Sequence, residues 1–117
     1  NAIASIRGEL QERYADQVNI FDSIGPSGKI IITITAKRAT KGAALAAACA
    51  HLRLDPRAVI AFGDAENDLA MFRVAGAAVA MGQADAAIQQ AATIVTGRND
   101  EAGVAMAVDR LLATGTL

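Results

Sequence analysis

The chain has 117 residues, just over half of them apolar, and a formal net charge of −1. That length suits one domain, or a domain with a piece of a second. The near-neutral charge argues against nucleic acid and anionic membranes as partners, and too few aromatics accompany the scattered Arg and Lys to stack bases. No apolar run approaches the roughly 18 residues that would span a bilayer.

In chain order, residues 1–17 are predicted helical, with Ile3, Ile6, Leu10 and Tyr14 spaced to form one apolar face and Arg7, Glu9, Glu12 and Arg13 away from it. Val18 to Phe21 and Lys29 to Thr35 read as strands, joined through the turn cluster Gly25-Pro26-Ser27-Gly28. The opening is thus α-β-β, with the strands expected as an antiparallel hairpin. Ala36 to Thr40 is a polar, basic connector. Thr40 then suits the N-cap of a helix over Gly42 to Leu52.

Beyond Asp55-Pro56 the pattern alternates. Ala58 to Phe62 is a short, continuously apolar strand, the habit of a strand covered on both faces of a parallel sheet. A helix from about Asn67 to Val74 follows, then a strand at Ala77 to Ala80 and a helix over Ala84 to Ala91. A short strand at Thr93 to Val95 and a helix from Glu101 to Leu112 complete the series. Val104, Val108, Leu111 and Leu112 are the expected inward stripe of that last helix. Alternating helices and strands with tight loops imply right-handed crossovers and a parallel sheet.

Asp64 stands directly after Gly63 at the carboxyl end of the apolar strand, where ligands bind in open parallel sheets. Glu66, Asn67 and Asp68 follow. Like charges ~4 Å apart repel by about 4 kcal/mol per pair at an effective dielectric near 20. Such a cluster persists either as a solvated acidic helix start or around a cation, and both readings stay open on spacing alone. Oxygen donors without His or Cys favour Mg²⁺ over zinc. An EF-hand fits poorly, because Leu69 stands where that loop needs Gly. Lys41 at a helix start, beside Gly42, is a candidate phosphate-binding cation or simply a surface lysine.

Among the remaining candidates, His51 reads as exposed or capping carbonyls, and Met71 and Phe72 as core. Cys49 is the only cysteine and reads as a buried, reduced thiol in a cytoplasmic protein. The first residue is Asn1. Methionine is rarely removed before a residue of that size, so the start is expected to be a processing or fragment boundary.

From Lys41 to Leu112 the sequence resembles the C-terminal part of the haloacid dehalogenase (HAD) superfamily, specifically its Cof-type phosphatases. The segments that carry the likeness include Thr40-Lys41-Gly42-Ala43-Ala44-Leu45, Val59-Ile60-Ala61-Phe62-Gly63-Asp64-Ala65-Glu66-Asn67-Asp68, Val79-Ala80-Met81-Gly82-Gln83-Ala84 and Asn99-Asp100-Glu101-Ala102-Gly103-Val104. The resemblance implies an α/β fold: a partial, three-layer, Rossmann-like parallel HAD core over residues 37–117. Residues 1–36 would form the C-terminal α-β-β piece of an α/β cap domain that selects substrate.

The resemblance further implies that Lys41 is catalytic and binds the phosphoryl group, that Asn67 helps bind it, and that Asp64 and Asp68 hold Mg²⁺. Glu66 is left exposed and without a role. The substrate would be a phosphorylated small metabolite, sugar-phosphate-like. The family's Asp-x-Asp nucleophile motif does not occur in these residues; the nearest imitation, Phe21-Asp22-Ser23-Ile24, has Ile24 where the second Asp belongs. Without that aspartate no aspartyl-phosphate forms, so the isolated chain is expected to be inactive, with Mg²⁺ weak or absent. A different class of reading makes the chain a natural, truncated, non-catalytic binding or assembly module that forms a homodimer or docks through an exposed sheet edge.

Overall fold

The structure is a computed structural model and describes residues 2–116. It divides into two compact units, one up to Thr40 and one from Lys41 onward. The division falls just past the connector, beyond Ala36.

The first unit is helix α1 (Ala2–Tyr14) with strands β1 (Val18–Ile24) and β2 (Ile30–Ala36). The strands pair antiparallel in register from Val18↔Ala36 to Ile24↔Ile30, closed by a turn in which Gly28 takes a positive φ of 74°. That conformation is cheap only for glycine. β1 therefore runs further than its predicted end at Phe21. Asp22 lies inside the ladder opposite Ile32, and its carboxylate accepts from Arg7 at 2.5 Å.

The inward line of α1 differs from the predicted one. Ile3, Arg7 and Leu10 are the half-buried positions, whereas Ile6 and Tyr14 are exposed. Residues three and four apart share a helix face, and Arg7 falls between Ile3 and Leu10. Its aliphatic stem can lie on the sheet while the guanidinium reaches Asp22.

The second unit begins with α2 (Lys41–Leu52), then a 3-10 turn at Pro56–Ala58. The turn is capped by Asp55, whose side chain accepts from the Arg57 N–H at 2.9 Å. β3 (Ile60–Gly63), α3 (Leu69–Val74), β4 (Ala77–Ala80), α4 (Ala86–Ala91), β5 (Ile94–Val95) and α5 (Gly103–Thr114) follow. Further 3-10 turns at Glu66–Asp68 and Asn99–Glu101 lead into α3 and towards α5, so both helices start later than predicted.

β3, β4 and β5 form a parallel sheet in that order, with Ala61 beside Ala78 and Gly63 beside Ala80. Ala61, Ala78 and Ala80 share one face and pack with Phe72 of α3 and Ile88 of α4. Both crossover helices thus lie on the same face, as same-handed connections between successive neighbouring strands require. Val79, pointing the other way by strand alternation, is also fully buried (0% exposed). A strand covered on both faces matches its apolar run. Cys49 is buried and free. No helix among the described residues is long and apolar enough to cross a membrane.

The last helix corrects a prediction. Gly103 and Ala107 are its buried residues and Leu111, four further on, is half-buried as predicted, while Val104, Val108 and Leu112 are exposed, Leu112 at 78%. A Cβ on Gly103 would stand 2.0 Å from the Gly97 carbonyl oxygen. The backbone approach is too close for larger side chains, so the small-residue line faces inward, one position round from the apolar stripe.

Candidate functional site

The site lies at the carboxyl ends of β3 and β4, where the chain leaves the sheet and backbone groups are no longer committed to the ladder. β3 ends at Gly63, and glycine is required there by crowding. A Cβ would lie 2.5 Å from Asp68 Cβ and 2.8 Å from its Oδ2. The missing side chain admits the Asp68 carboxylate beneath the loop. Asp68 Oδ2 then accepts from the backbone N–H groups of Asp64 (2.9 Å) and Ala65 (3.1 Å), folding residues 64–68 into a tight turn.

Asp68 Oδ1 accepts from Lys41 Nζ at 2.5 Å. Asp68 is 4% exposed, whereas the Lys41 side chain is 49% exposed. The cation is therefore anchored from below and open above. Its backbone is set by α2 lying hard against α3: a Cβ on Gly42 would stand 2.4 Å from the Ala70 carbonyl oxygen. Gly42 thus serves helix–helix contact rather than the approach of a ligand.

The neighbouring loop completes the arrangement. The Met81 N–H donates to the Gly63 carbonyl at 2.9 Å, bringing the ends of the two strands together. Gln83 Nε2 donates to Asp64 Oδ2 at 3.0 Å. Asp64 is exposed, and its Oδ1 has no hydrogen bond among the described residues. The Asn67 Oδ1 atom is buried without a partner. A buried acceptor left unpaired costs about 1–3 kcal/mol, so this oxygen calls for a donor or cation. Glu66 is exposed.

Lys41, Asp64 and Asp68 are thus brought into one cluster, with Asn67 on the same turn. Both oxygens of Asp68 are engaged, by an ammonium and two backbone amides, so its geometry is that of an anchor; the carboxylate with an oxygen to spare is Asp64. Among the described residues no three His, Cys, Asp or Glu side chains gather as a metal-binding group. His51 is exposed in the last turn of α2, about 15 Å along the helix from Lys41. Gln83 has a place in the site that sequence reasoning missed. The usable signal was its position in the loop after the adjacent strand, which reaches the same sheet end.

The profile of haloacid dehalogenase-like hydrolases matches residues 1–108. A phosphatase of 5-amino-6-(5-phospho-D-ribitylamino)uracil from Bacillus subtilis (strain 168) is 41% identical over 87 residues, covering 74% of this chain and 30% of that protein. A phosphoglycolate phosphatase from Methanopyrus kandleri is 33% identical over 100 residues, covering 80% of this chain and 43% of that protein. Among solved structures, a HAD subclass IIB sugar phosphatase superposes with a TM-score of 0.79 at 28% identity, over 92% of this chain and 40% of that one. The chain belongs to the haloacid dehalogenase-like hydrolase family, and its fold is a partial HAD core. It spans less than half the length of these relatives.

Proposed function

We propose that this chain forms the cation and phosphate corner of a Mg²⁺-dependent phosphatase acting on phosphate esters of small metabolites, and that the 117 residues by themselves are inactive. One observation carries the reading: at the carboxyl end of a parallel sheet, an anchored but half-open ammonium stands with a spare carboxylate oxygen and an orphaned amide oxygen. Buried polar atoms are mostly paired, so the unpaired Asn67 Oδ1 favours a ligand at this turn.

Lys41, held by Asp68, neutralises charge on the phosphoryl group in the transition state. Asp64 would hold the cation, and the Asn67 amide would help to orient the phosphoryl group. All the donors are oxygens, which fits Mg²⁺; two of them leave most of an octahedral shell to water or to groups outside this cluster. When bound, Mg²⁺ supplies charge neutralisation and orientation at the phosphate. The α-β-β unit is read as part of a substrate-selecting cap. The named substrates of the relatives, a phosphorylated ribityl compound and phosphoglycolate, together with the sugar phosphatase, support small phosphorylated metabolites as the class. A cytoplasmic setting suits such metabolites.

Inactivity of the isolated chain rests on the lack of an Asp-x-Asp pair in these residues; Asp22, in the β-ladder and ion-paired with Arg7 of α1, is no substitute. The test compares the 117 residues with the full product of the encoding reading frame on p-nitrophenyl phosphate and Mg²⁺. The short chain should be silent, and the full product should lose about 100-fold or more on Asp64→Ala or Lys41→Met. Turnover by the short chain that disappears in Asp64→Ala would refute inactivity, and a full product without phosphatase activity would refute the reading itself.

A second reading, an assembly module that dimerises or docks through its sheet, draws on the β3 edge. Among the described strands β3 pairs only with β4. Light scattering separates the two readings, since a well-folded monomer at high concentration counts against assembly.

A further inference from the structure

Gln83 occupies the loop that leaves β4, and its two amide ends face different partners. Nε2 donates to Asp64 Oδ2 at 3.0 Å, and Oε1 accepts from the Asn99 backbone N–H at 2.9 Å. A carboxylate on one side and an N–H on the other leave only one sense for the amide. Among side chains of this length, only glutamine offers both a donor and an acceptor there. Glutamate would set like charge against Asp64, and lysine would have nothing to offer Asn99.

The backbone beneath Gln83 is held on each side. The Gly82 N–H donates to the Gly97 carbonyl at 3.1 Å, and Gln89 Nε2 donates to the carbonyls of Gly82 (3.2 Å) and Ala84 (3.0 Å). The far anchor is fixed as well. In the Asn99–Glu101 turn, the Arg98 N–H donates to Glu101 Oε2 at 3.2 Å, and the Glu101 N–H donates to the Arg98 carbonyl at 3.0 Å.

We infer that Gln83 is a positioning residue for Asp64. It restrains the carboxylate through Oδ2, leaves Oδ1 directed to the cation, and ties that carboxylate to the turn before α5. The inference rests on the proposed role of Asp64 and adds the element that sets its orientation. An exposed aspartate otherwise samples several rotamers, and a cation would have to select one.

The test uses the isotopically labelled 117-residue chain. Three-bond couplings to the Asp64 carboxyl carbon report its χ1 distribution without metal, and Mn²⁺ line broadening at residues 64–67 reports cation affinity. Gln83→Met removes both hydrogen bonds at nearly constant volume. Asn99→Pro removes only the anchor. Asn99 opens its 3-10 turn, where proline is tolerated, and Arg98 before it has φ −70° and ψ 162°, as the residue preceding proline prefers.

The wild-type chain should show one dominant Asp64 rotamer. Gln83→Met should average it and raise the Mn²⁺ midpoint about tenfold, and Asn99→Pro should move both readouts the same way by less. A single Asp64 rotamer kept in both variants overturns the positioning role. So does a Gln83→Met midpoint within about twofold of wild type, the effect expected being about tenfold or more. Broadening that survives Asp64→Ala sinks the cation reading of Asp64 instead, while the couplings still decide whether Gln83 holds that side chain.

Discussion

Replacing Lys41 by Met leaves Asp68 as a buried carboxylate supported only by the N–H groups of Asp64 and Ala65. Two charges ~3.5 Å apart attract by about 5 kcal/mol at an effective dielectric near 20 and about 1 kcal/mol in water. Asp68 is shielded from solvent but Lys41 is half open, so the pair lies between these limits, at about 2–3 kcal/mol. Lys41→Met should therefore destabilise the second unit by about 2–3 kcal/mol, because it strands a charge whose cost of burial is already incurred. Asp68→Asn keeps an acceptor for the two amides and removes that charge, and should cost about 1–2 kcal/mol. The double variant should cost less than the sum of the singles, by about 1–2 kcal/mol, since neither member remains to be compensated. Native-state hydrogen exchange at the amides of β4 measures this unit separately from the hairpin unit. Additivity within about 0.5 kcal/mol, as for independent sites, would refute the claim that Asp68 and Lys41 act as a coupled pair.

Gly63→Ala should collapse the site with little change in composition. Its methyl would meet Asp68 at 2.5–2.8 Å, so the carboxylate must move and the turn opens. A loss of about 2–4 kcal/mol in urea unfolding is expected, and a loss below about 0.5 kcal/mol would show that Asp68 is not tightly seated. Asn67→Leu should raise stability by about 1 kcal/mol, because it removes a buried acceptor with no partner. In the full product the same change should lower phosphatase activity, and a destabilised Asn67→Leu would mean that the oxygen is satisfied in solution. Surface changes on α5 offer a control: Leu112→Ser should leave unfolding within about 0.5 kcal/mol, and a larger loss would place that residue in a packed contact.

Much of the second unit is legible in the amino-acid pattern alone. The apolar runs at Ala58–Phe62 and Ala77–Ala80, separated by helical stretches, read as buried parallel strands, the first observed at Ile60–Gly63 after a 3-10 turn that takes Ala58, and strand position put Asp64 at the sheet end where ligands bind in such folds. Hydrophobic periodicity and turn residues are local, and the chain reports them directly. The hairpin is legible on the same terms, although Asp22 and Ile24 joined β1 because ladder pairing with Ile30–Ile32 outweighs the weak strand character of this stretch.

What tertiary structure alone decided were the relations between segments remote in sequence. Spacing alone does not separate Asp64 from Asp68; the arrival of Lys41 from α2, and the room left by Gly63, engage both oxygens of Asp68 and leave Asp64 with an oxygen unpaired among the described residues. The stripe of Val104, Val108 and Leu112 has the spacing of a core face, but the close approach of Gly103 to Gly97 turned the small residues inward. The only sequence signal of Gln83 was its place in the loop after the strand next to β3. A side-chain amide becomes informative only when a carboxylate and an N–H, from positions 64 and 99, stand at its two ends. The sequence by itself determined at which end of the sheet the site lies and, Gln83 apart, which residues gather there. Their roles were decided by distances of a few ångströms between elements far apart in the chain, which no local pattern encodes.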